Sequence, residues 1–299
     1  PGNPVEQMQE IRIRLEKTIE EYSPDLVMVV GDVNSTLAAA QVASKMHIRL
    51  AHVESGLRSF DDTMPEEYNR IQTDGLADFH FVTEQAGLDN LAHEGKNKSG
   101  IFFVGNTMID TMVAFADKIN SSGITKELKI TDKGFVLMTM HRPGNVDSKE
   151  GLEKLLELVN AITKKYNIVF PVHPRTVKNM QLNGLEDAFR NNKKLIFTEP
   201  LDYFSFQKLI QQSAFIITDS GGIQEESTFL KVPCLTLRPN TERPVTISVG
   251  SNELVEFDIN NILSKISAIE NGTFKKGAIP PLWDGHATER IFEILSQKL

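Results

Sequence analysis

Short apolar runs rich in β-branched residues alternate along this chain with longer stretches whose apolar positions recur at helical spacing. Met8, Ile11, Leu15 and Ile19 predict a helix over 6–22, and Leu26–Val30 reads as a strand ending in Gly31-Asp32. A helix from about Ser35, a strand at Leu50–Val53, a helix at Glu66–Ala77 and a strand at Phe79–Val82 follow. Another helix precedes a strand at Ile101–Val104, and Asn106 opens the next helix. Beyond the Gly- and Lys-containing stretch 122–134 the pattern resumes. Strands are expected at Phe135–Met140, Ile168–Val172, Leu195–Phe197, Ala214–Thr218 and Val232–Leu237. Helices are expected at Lys149–Lys165, Tyr203–Gln212, Gly222–Leu230 and Thr288–Leu299. Strand–helix alternation over the whole length predicts an α/β fold of parallel sheets wrapped by helices.

The length of 299 residues suits two domains rather than one core, and the pattern places a boundary near residue 113. The expected division is 1–113, then 114–283, with 284–299 as a closing helix. The first part holds fewer strands than the second. It is expected to lack earlier strands, leaving a sheet edge and apolar surface uncovered. With 40% hydrophobic and 24% charged residues the chain reads as a soluble globular protein, and no apolar run approaches the roughly 20 residues of a membrane helix. A net charge of -8 argues against a nucleic-acid or anionic-membrane surface. An anionic ligand would therefore need a local cluster of cations and helix N-termini. The single cysteine, Cys234, excludes an intrachain disulfide, reads as a buried strand residue rather than a nucleophile, and favours a cytoplasmic protein.

In doubly wound sheets ligands bind beyond the carboxyl ends of the strands, so the residues after each apolar run carry the argument. They are Gly31-Asp32, Glu54-Ser55-Gly56-Leu57-Arg58, His141-Arg142-Pro143-Gly144, His173-Pro174-Arg175, Asp219-Ser220-Gly221-Gly222, and Arg238 with Thr241-Glu242-Arg243-Pro244. Gly221 and Gly222 would let the backbone approach a phosphate at a helix N-terminus, with Ser220 adding a hydroxyl and Glu226 an acceptor for a ribose diol. A plain strand-to-helix turn capped by Ser220 would read the same in isolation. Arg243, His141 and Arg175 at neighbouring strand ends tip the balance to a diphosphate. The spacing fits neither a P-loop nor the dinucleotide fingerprint.

Asp32, Glu54 and Glu66 form a second, acidic set. Carboxylates without several His or Cys suit general acid–base work better than a zinc site, and no spacing specifies a metal, Mg²⁺ included. The competing reading of Glu66 and Glu67 is a helix opened by Pro65 with acidic residues in its first turn. His52, inside a strand, reads as structural. His141, after a strand, reads as a ligand residue, and His173 stays open between the two.

Together these motifs resemble the non-hydrolysing UDP-N-acetylglucosamine 2-epimerase family. The matching residues are Gly31-Asp32, His52-Val53-Glu54-Ser55-Gly56-Leu57-Arg58, Pro65-Glu66-Glu67 with Asn69-Arg70, Gly105-Asn106-Thr107, His141-Arg142, the Asp219–Glu226 run, Thr241-Glu242-Arg243-Pro244, and Asp284-Gly285 with Ala287. The resemblance implies a glycosyltransferase-B-like fold of two Rossmann-like domains around a cleft, with a C-terminal helix returning to the first domain. It implies a homodimer that interconverts UDP-GlcNAc and UDP-ManNAc without an external redox cofactor. By that similarity Asp32, Glu54, Glu66 and His141 are catalytic, and Arg142, Ser220, Gly221, Gly222, Glu226 and Arg243 bind the UDP-sugar.

The sequence departs from the family pattern in places. The family's opening strand and Gly-Thr-Arg-Pro-Glu loop have no counterpart in these residues. His141-Arg142-Pro143-Gly144-Asn145 stands for His-Arg-Arg-Glu-Asn, and Val245 for a frequent Glu. A hydrolysing epimerase, a glycosyltransferase of the same architecture and a binding protein with a degenerate nucleotide-sugar site are the competing readings.

Overall fold

The computed structural model describes residues 3–131 and 133–299. They form two compact units, one of residues up to Thr111 together with Pro281–Leu299, the other Met112–Pro280.

The sheet of the first unit runs β1 (Leu26–Val30), β2 (Arg49–Val53), β3 (Phe79–Val82) and β4 (Ile101–Phe103), all parallel and in sequence order. Because side chains alternate across a strand, the two faces find different covers. Val29 and Leu50 pack on Ala40 and Ala43 of the helix Asn34–Lys45. Ala51, Val53, Phe79 and Phe81 pack on Ile291 and Leu295 of the last helix, Ala287–Lys298. β1 forms one edge of the sheet, and its Met28 and Val30 are 43% and 51% exposed.

The return of the C-terminus to this unit explains the Gly105-Asn106-Thr107 motif. Gly105 sits at φ +92°, and a Cβ there would lie 2.0 Å from the Leu282 carbonyl oxygen, so only glycine admits the crossing strand of backbone. Beside it the indole of the fully buried Trp283 donates to the Thr83 carbonyl at 2.9 Å. The Asp110 carboxylate accepts from Ala287 N at 3.0 Å and Thr288 N at 2.6 Å, satisfying free amides at the start of the last helix.

The second unit carries β5 (Phe135–Thr139), β6 (Asn167–Pro171), β7 (Leu195–Thr198), β8 (Phe215–Thr218), β9 (Cys234–Thr236) and β10 (Asn252–Leu254). Their order is β10-β9-β8-β5-β6-β7, all parallel. From β5 the chain winds outward to β6 and β7, then returns to β8 on the other side of β5. The order therefore reverses between β5 and β8, the position where doubly wound sheets open a ligand crevice.

Several features of this unit lie outside the sequence pattern. β10 is short and polar; its buried Asn252 side chain accepts from Thr236 Oγ1 at 2.6 Å and donates to Gln224 Oε1 at 3.0 Å. The helices Pro174–Leu182 and Ile259–Glu270 complete the layers. The strand expected at Val232–Leu237 shortens to β9, where Cys234 is fully buried. Burial pushes the Cys234 thiol up to about 11, which fits a packing residue rather than a nucleophile.

Candidate functional site

At the β5/β8 switch point Thr139 and Thr218 are register partners, and their hydroxyls meet at 2.6 Å. The next residues of each strand end therefore converge. Asp219, fully buried, is the hub: its Oδ2 accepts from His141 N at 3.0 Å, Arg142 N at 2.9 Å and Asn145 Nδ2 at 3.0 Å. Its Oδ1 lies 3.1 Å from His141 Nδ1, and its carbonyl accepts from Arg142 Nε at 3.0 Å. Burial alone would raise the Asp219 pKa, but the hydrogen bond and charge of His141 and the donors of Arg142 and Asn145 outweigh it and hold it below the usual value. Asp219 thus fixes the His141 ring with Nδ1 occupied and Nε2 turned to other partners. Although Pro143 and Gly144 depart from the family pattern, Pro143 opens a helical turn over Pro143–Val146 that delivers Asn145 to Asp219.

His141 borders a cavity of ≈ 400 Å³ also lined by Ser220, Gly222 and Glu226. Apolar residues Pro171, Val172, Leu201 and Phe206 form the rest of its wall, with His173 and Tyr203 at the same cavity. Four of the expected ligand-binding or catalytic residues therefore share one concave site. His173 caps the helix Pro174–Leu182 with its own Nδ1, which accepts from Arg175 N at 3.2 Å, and so has a structural task. Arg175 is engaged with Asp147.

Behind the Gly-Gly turn lies a charged cluster. Arg243 pairs with Glu225 at 2.6 Å and with Glu242, and Arg238 pairs with Glu242 at 3.0 Å. A Cβ on Gly221 would lie 3.2 Å from Arg243 Nη1 and 2.9 Å from Glu242 Oε1, so the bare glycine lets this cluster reach the turn. Glu226 is 7% exposed and is held by the Gln207 amide. Burial and the neighbouring Glu225 push the Glu226 carboxyl up to about 7 against the pull of Gln207.

In the first unit Asp32 and Glu54 follow adjacent strands whose last residues, Val30 and Val53, are register partners. Arg70 donates from Nε to Asp32 Oδ2 at 3.0 Å, and Asn69 Nδ2 to the Asp32 carbonyl at 2.8 Å. Both belong to the helix Pro65–Leu76, which carries Glu66 exposed on its first turn. Glu67, by contrast, is buried: it accepts from Ser59 N at 2.9 Å and Phe60 N at 3.0 Å and pairs with Arg70. Glu54 stands at φ +69°, a conformation that costs a non-glycine residue energy and is found at functional sites. His52 of β2 links the Gly31 turn to that same helix, Nδ1 meeting Asp74 Oδ1 at 2.6 Å and Nε2 the Gly31 carbonyl at 2.9 Å. Burial alone would raise the Asp74 pKa, but hydrogen bonds from His52 and His80 and the charge of Arg58 hold it well below the usual range.

The family model described as UDP-N-acetylglucosamine 2-epimerase matches residues 2–296. The chain belongs to the UDP-N-acetylglucosamine 2-epimerase family. It is 40% identical over 300 residues to the UDP-N-acetylglucosamine 2-epimerase of Methanocaldococcus jannaschii, a match covering 99% of this chain and 81% of that protein. The solved structure of the Methanocaldococcus jannaschii UDP-GlcNAc 2-epimerase in complex with UDP-GlcNAc and UDP superposes with a TM-score of 0.88, covering 99% of this chain and 82% of that one at 40% identity. A UDP-2,3-diacetamido-2,3-dideoxy-D-glucuronate 2-epimerase of Pseudomonas aeruginosa is 38% identical over 247 residues, 81% of this chain and 67% of that protein. The two units are accordingly the Rossmann-like halves of a glycosyltransferase-B-like fold.

Within this epimerase family fold, two residues of the site carry no mark of their partnership in the sequence. Asp219 stood in the Gly-Gly motif, but its partnership with His141, 78 residues away, exists only through the strand order. Gln207 lies in an amphipathic helix and bears no motif; no sequence signal marks it. Among the described residues no group of His, Cys, Asp and Glu could hold a metal ion, and no helix is long and apolar enough to cross a membrane.

Proposed function

We propose that this chain interconverts UDP-N-acetylglucosamine and UDP-N-acetylmannosamine by elimination and re-addition of UDP. The observation that carries the reading is the switch-point cavity, where the Asp219-oriented His141, the Ser220–Gly222 turn and Glu226 border one volume. The 2-epimerase relatives supply the substrate class. Membership of the UDP-GlcNAc 2-epimerase family leaves the substituents open, since one relative is named for a diacetamido-glucuronate.

The roles follow from the reaction. The C2–H beside an acetamido group is too weakly acidic for simple deprotonation. Anti elimination breaks the C1–O and C2–H bonds together, forms a C1=C2 double bond and releases UDP as an anion. UDP then adds back to C1 as C2 takes a proton on its other face. No electrons are gained or lost, so no redox cofactor is needed. The second unit holds UDP: the free amides after Ser220 and the Arg243 cluster take the diphosphate, and Glu226 accepts from the ribose hydroxyls. Arg142 and His141 stand at the same strand end, His141 offering Nε2 to the leaving oxygen. Asp32, Glu54 and Glu66 are the acid–base groups for the two faces of C2. By the same family resemblance the working form is a cytoplasmic homodimer.

The test is proton NMR of UDP-GlcNAc with the protein in D₂O. Appearance of UDP-ManNAc with deuterium at C2 of both sugars is the expected result. Accumulation of free ManNAc and UDP would make the enzyme hydrolysing. Binding with neither exchange nor epimerisation would make the chain a nucleotide-sugar binder. Turnover of a diacetamido-glucuronate substrate alone would move the specificity to that sugar class.

A further inference from the structure

We propose that Gln207 is a positioning residue of the nucleotide site, holding the Glu226 carboxyl in the ionised, hydrogen-bond-accepting form that a ribose diol requires. This rests on the reading of the switch-point cavity as the UDP site. Gln207 lies on the helix Tyr203–Gln212, whose start is fixed by Asp202 accepting from Phe204 N at 3.0 Å and Ser205 N at 3.1 Å. Its side chain is 1% exposed and lines the same cavity as Glu226, Ser220 and Gly222. The amide Nε2 donates to Glu226 Oε1. The other end, Oε1, is buried and meets no hydrogen-bond donor among the described residues. Such an amide is a costly choice for a helix interface that an apolar side chain of the same length would fill. The bond that offsets the cost is the one to Glu226.

The surroundings of Glu226 show why that bond matters. Burial and the adjacent Glu225, itself paired with Arg243, favour the neutral acid and bring its carboxyl up to about 7, while Gln207 pulls the other way. Tyr203, from the helix of Gln207, faces the same carboxyl, and burial and the charge of Glu226 push its hydroxyl up to about 12, so it stays a neutral phenol. His141 and His173 stand on the same cavity. A ribose diol brings two O–H donors. The carboxylate accepts both, whereas the protonated acid spends one oxygen as a donor. Nucleotide binding therefore draws Glu226 into the ionised form and releases a proton near neutrality. Affinity is weaker below the Glu226 pKa, rises as pH increases through it, and then levels off. Without the Gln207 donor the acid form is favoured further, and the rise shifts to higher pH.

The experiment is calorimetric titration of UDP into wild type, Gln207→Leu, Gln207→Met and Glu226→Gln between about pH 6 and about pH 9. Each pH uses two buffers of different ionisation enthalpy, and proton linkage of the diphosphate itself is common to all four proteins. The expected result is about tenfold weaker binding for Gln207→Leu and Gln207→Met near neutrality, recovering to within about twofold of wild type at the alkaline end. Glu226→Gln should lose the proton release that wild type shows. A loss that is the same factor at every pH, or no loss at all, would overturn the proposal. So would failure of both Gln207 variants to fold, which would make the residue structural. If wild type fails to bind UDP at any pH, the site reading itself falls, a result distinct from a changed pH profile.

Discussion

Replacing Asp219 with asparagine tests the hub of the site with almost no change of shape. The carboxylate accepts from His141 N, Arg142 N, Asn145 Nδ2 and His141 Nδ1 at 2.9–3.1 Å. In the Asp219→Asn variant the amide oxygen can take the place of Oδ2 and keep three of these donors, now as neutral bonds. Each weakens by roughly half, about 1 kcal/mol. The amide nitrogen must take the place of Oδ1 and face His141 Nδ1 as a donor. A neutral imidazole then accepts at Nδ1 and carries its proton on Nε2, the reverse of the tautomer that Asp219 selects. Relief of the buried charge offsets part of the loss, so unfolding in urea should show a destabilisation of about 2–4 kcal/mol. Epimerisation should fall by about 10²–10⁴-fold if His141 works through Nε2. The stability difference should also depend on pH. The folded pKa of Asp219 lies below its unfolded value, so its contribution is complete above about pH 4 and disappears as pH falls through the folded pKa. The urea midpoints of wild type and variant should therefore converge in acid. Equal midpoints at neutral pH with near-normal turnover would refute the hub role and the tautomer argument together.

Other changes probe the remaining parts. The amide variants Asp32→Asn, Glu54→Gln and Glu66→Gln should each lower turnover by about 10²–10⁴-fold with UDP affinity little changed; if all three keep normal C2–H exchange, the acid–base assignment is wrong. Arg243→Ala should weaken UDP binding by about 1.5–3 kcal/mol in calorimetry and, by removing an ion pair to the buried Glu225, lower the thermal midpoint as well. Gly105→Ala sets a methyl against the Leu282 carbonyl at a positive φ, and chemical denaturation should report a loss of at least about 2 kcal/mol; an unchanged midpoint would show that the return of the C-terminus does not depend on that contact.

Much of the architecture was legible in order along the chain, because strands and helices announce themselves through local periodicity. The runs at 79–82 and 215–218 are β-branched or aromatic and largely apolar, as strands of a covered parallel sheet must be. Pro65 marks a helix start because a residue without an N–H costs nothing there. The candidate ligand residues were legible too, since in this fold they fall just past strand ends, and the order of motifs carried the family resemblance. β10 escaped because Asn252-Glu253-Leu254 has neither length nor periodicity; its buried asparagine finds its partners in Thr236 and Gln224, far away along the chain.

Tertiary structure alone decided which strand ends meet. Nothing in the residues around 141 or around 219 states that β5 and β8 are neighbours; the winding of the sheet makes them so, and that adjacency turns a buried aspartate and a half-exposed histidine into one device. The same holds for Glu67 against Glu66. Both are acidic residues of one helical turn, and the difference of orientation between them buries the first on Ser59 and Arg70 and leaves the second open. Gln207 shows the limit most sharply. A local pattern reports only whether a position is apolar or polar along its own helix, whereas the role of this amide depends on a carboxyl from another helix and on how much water their packing excludes.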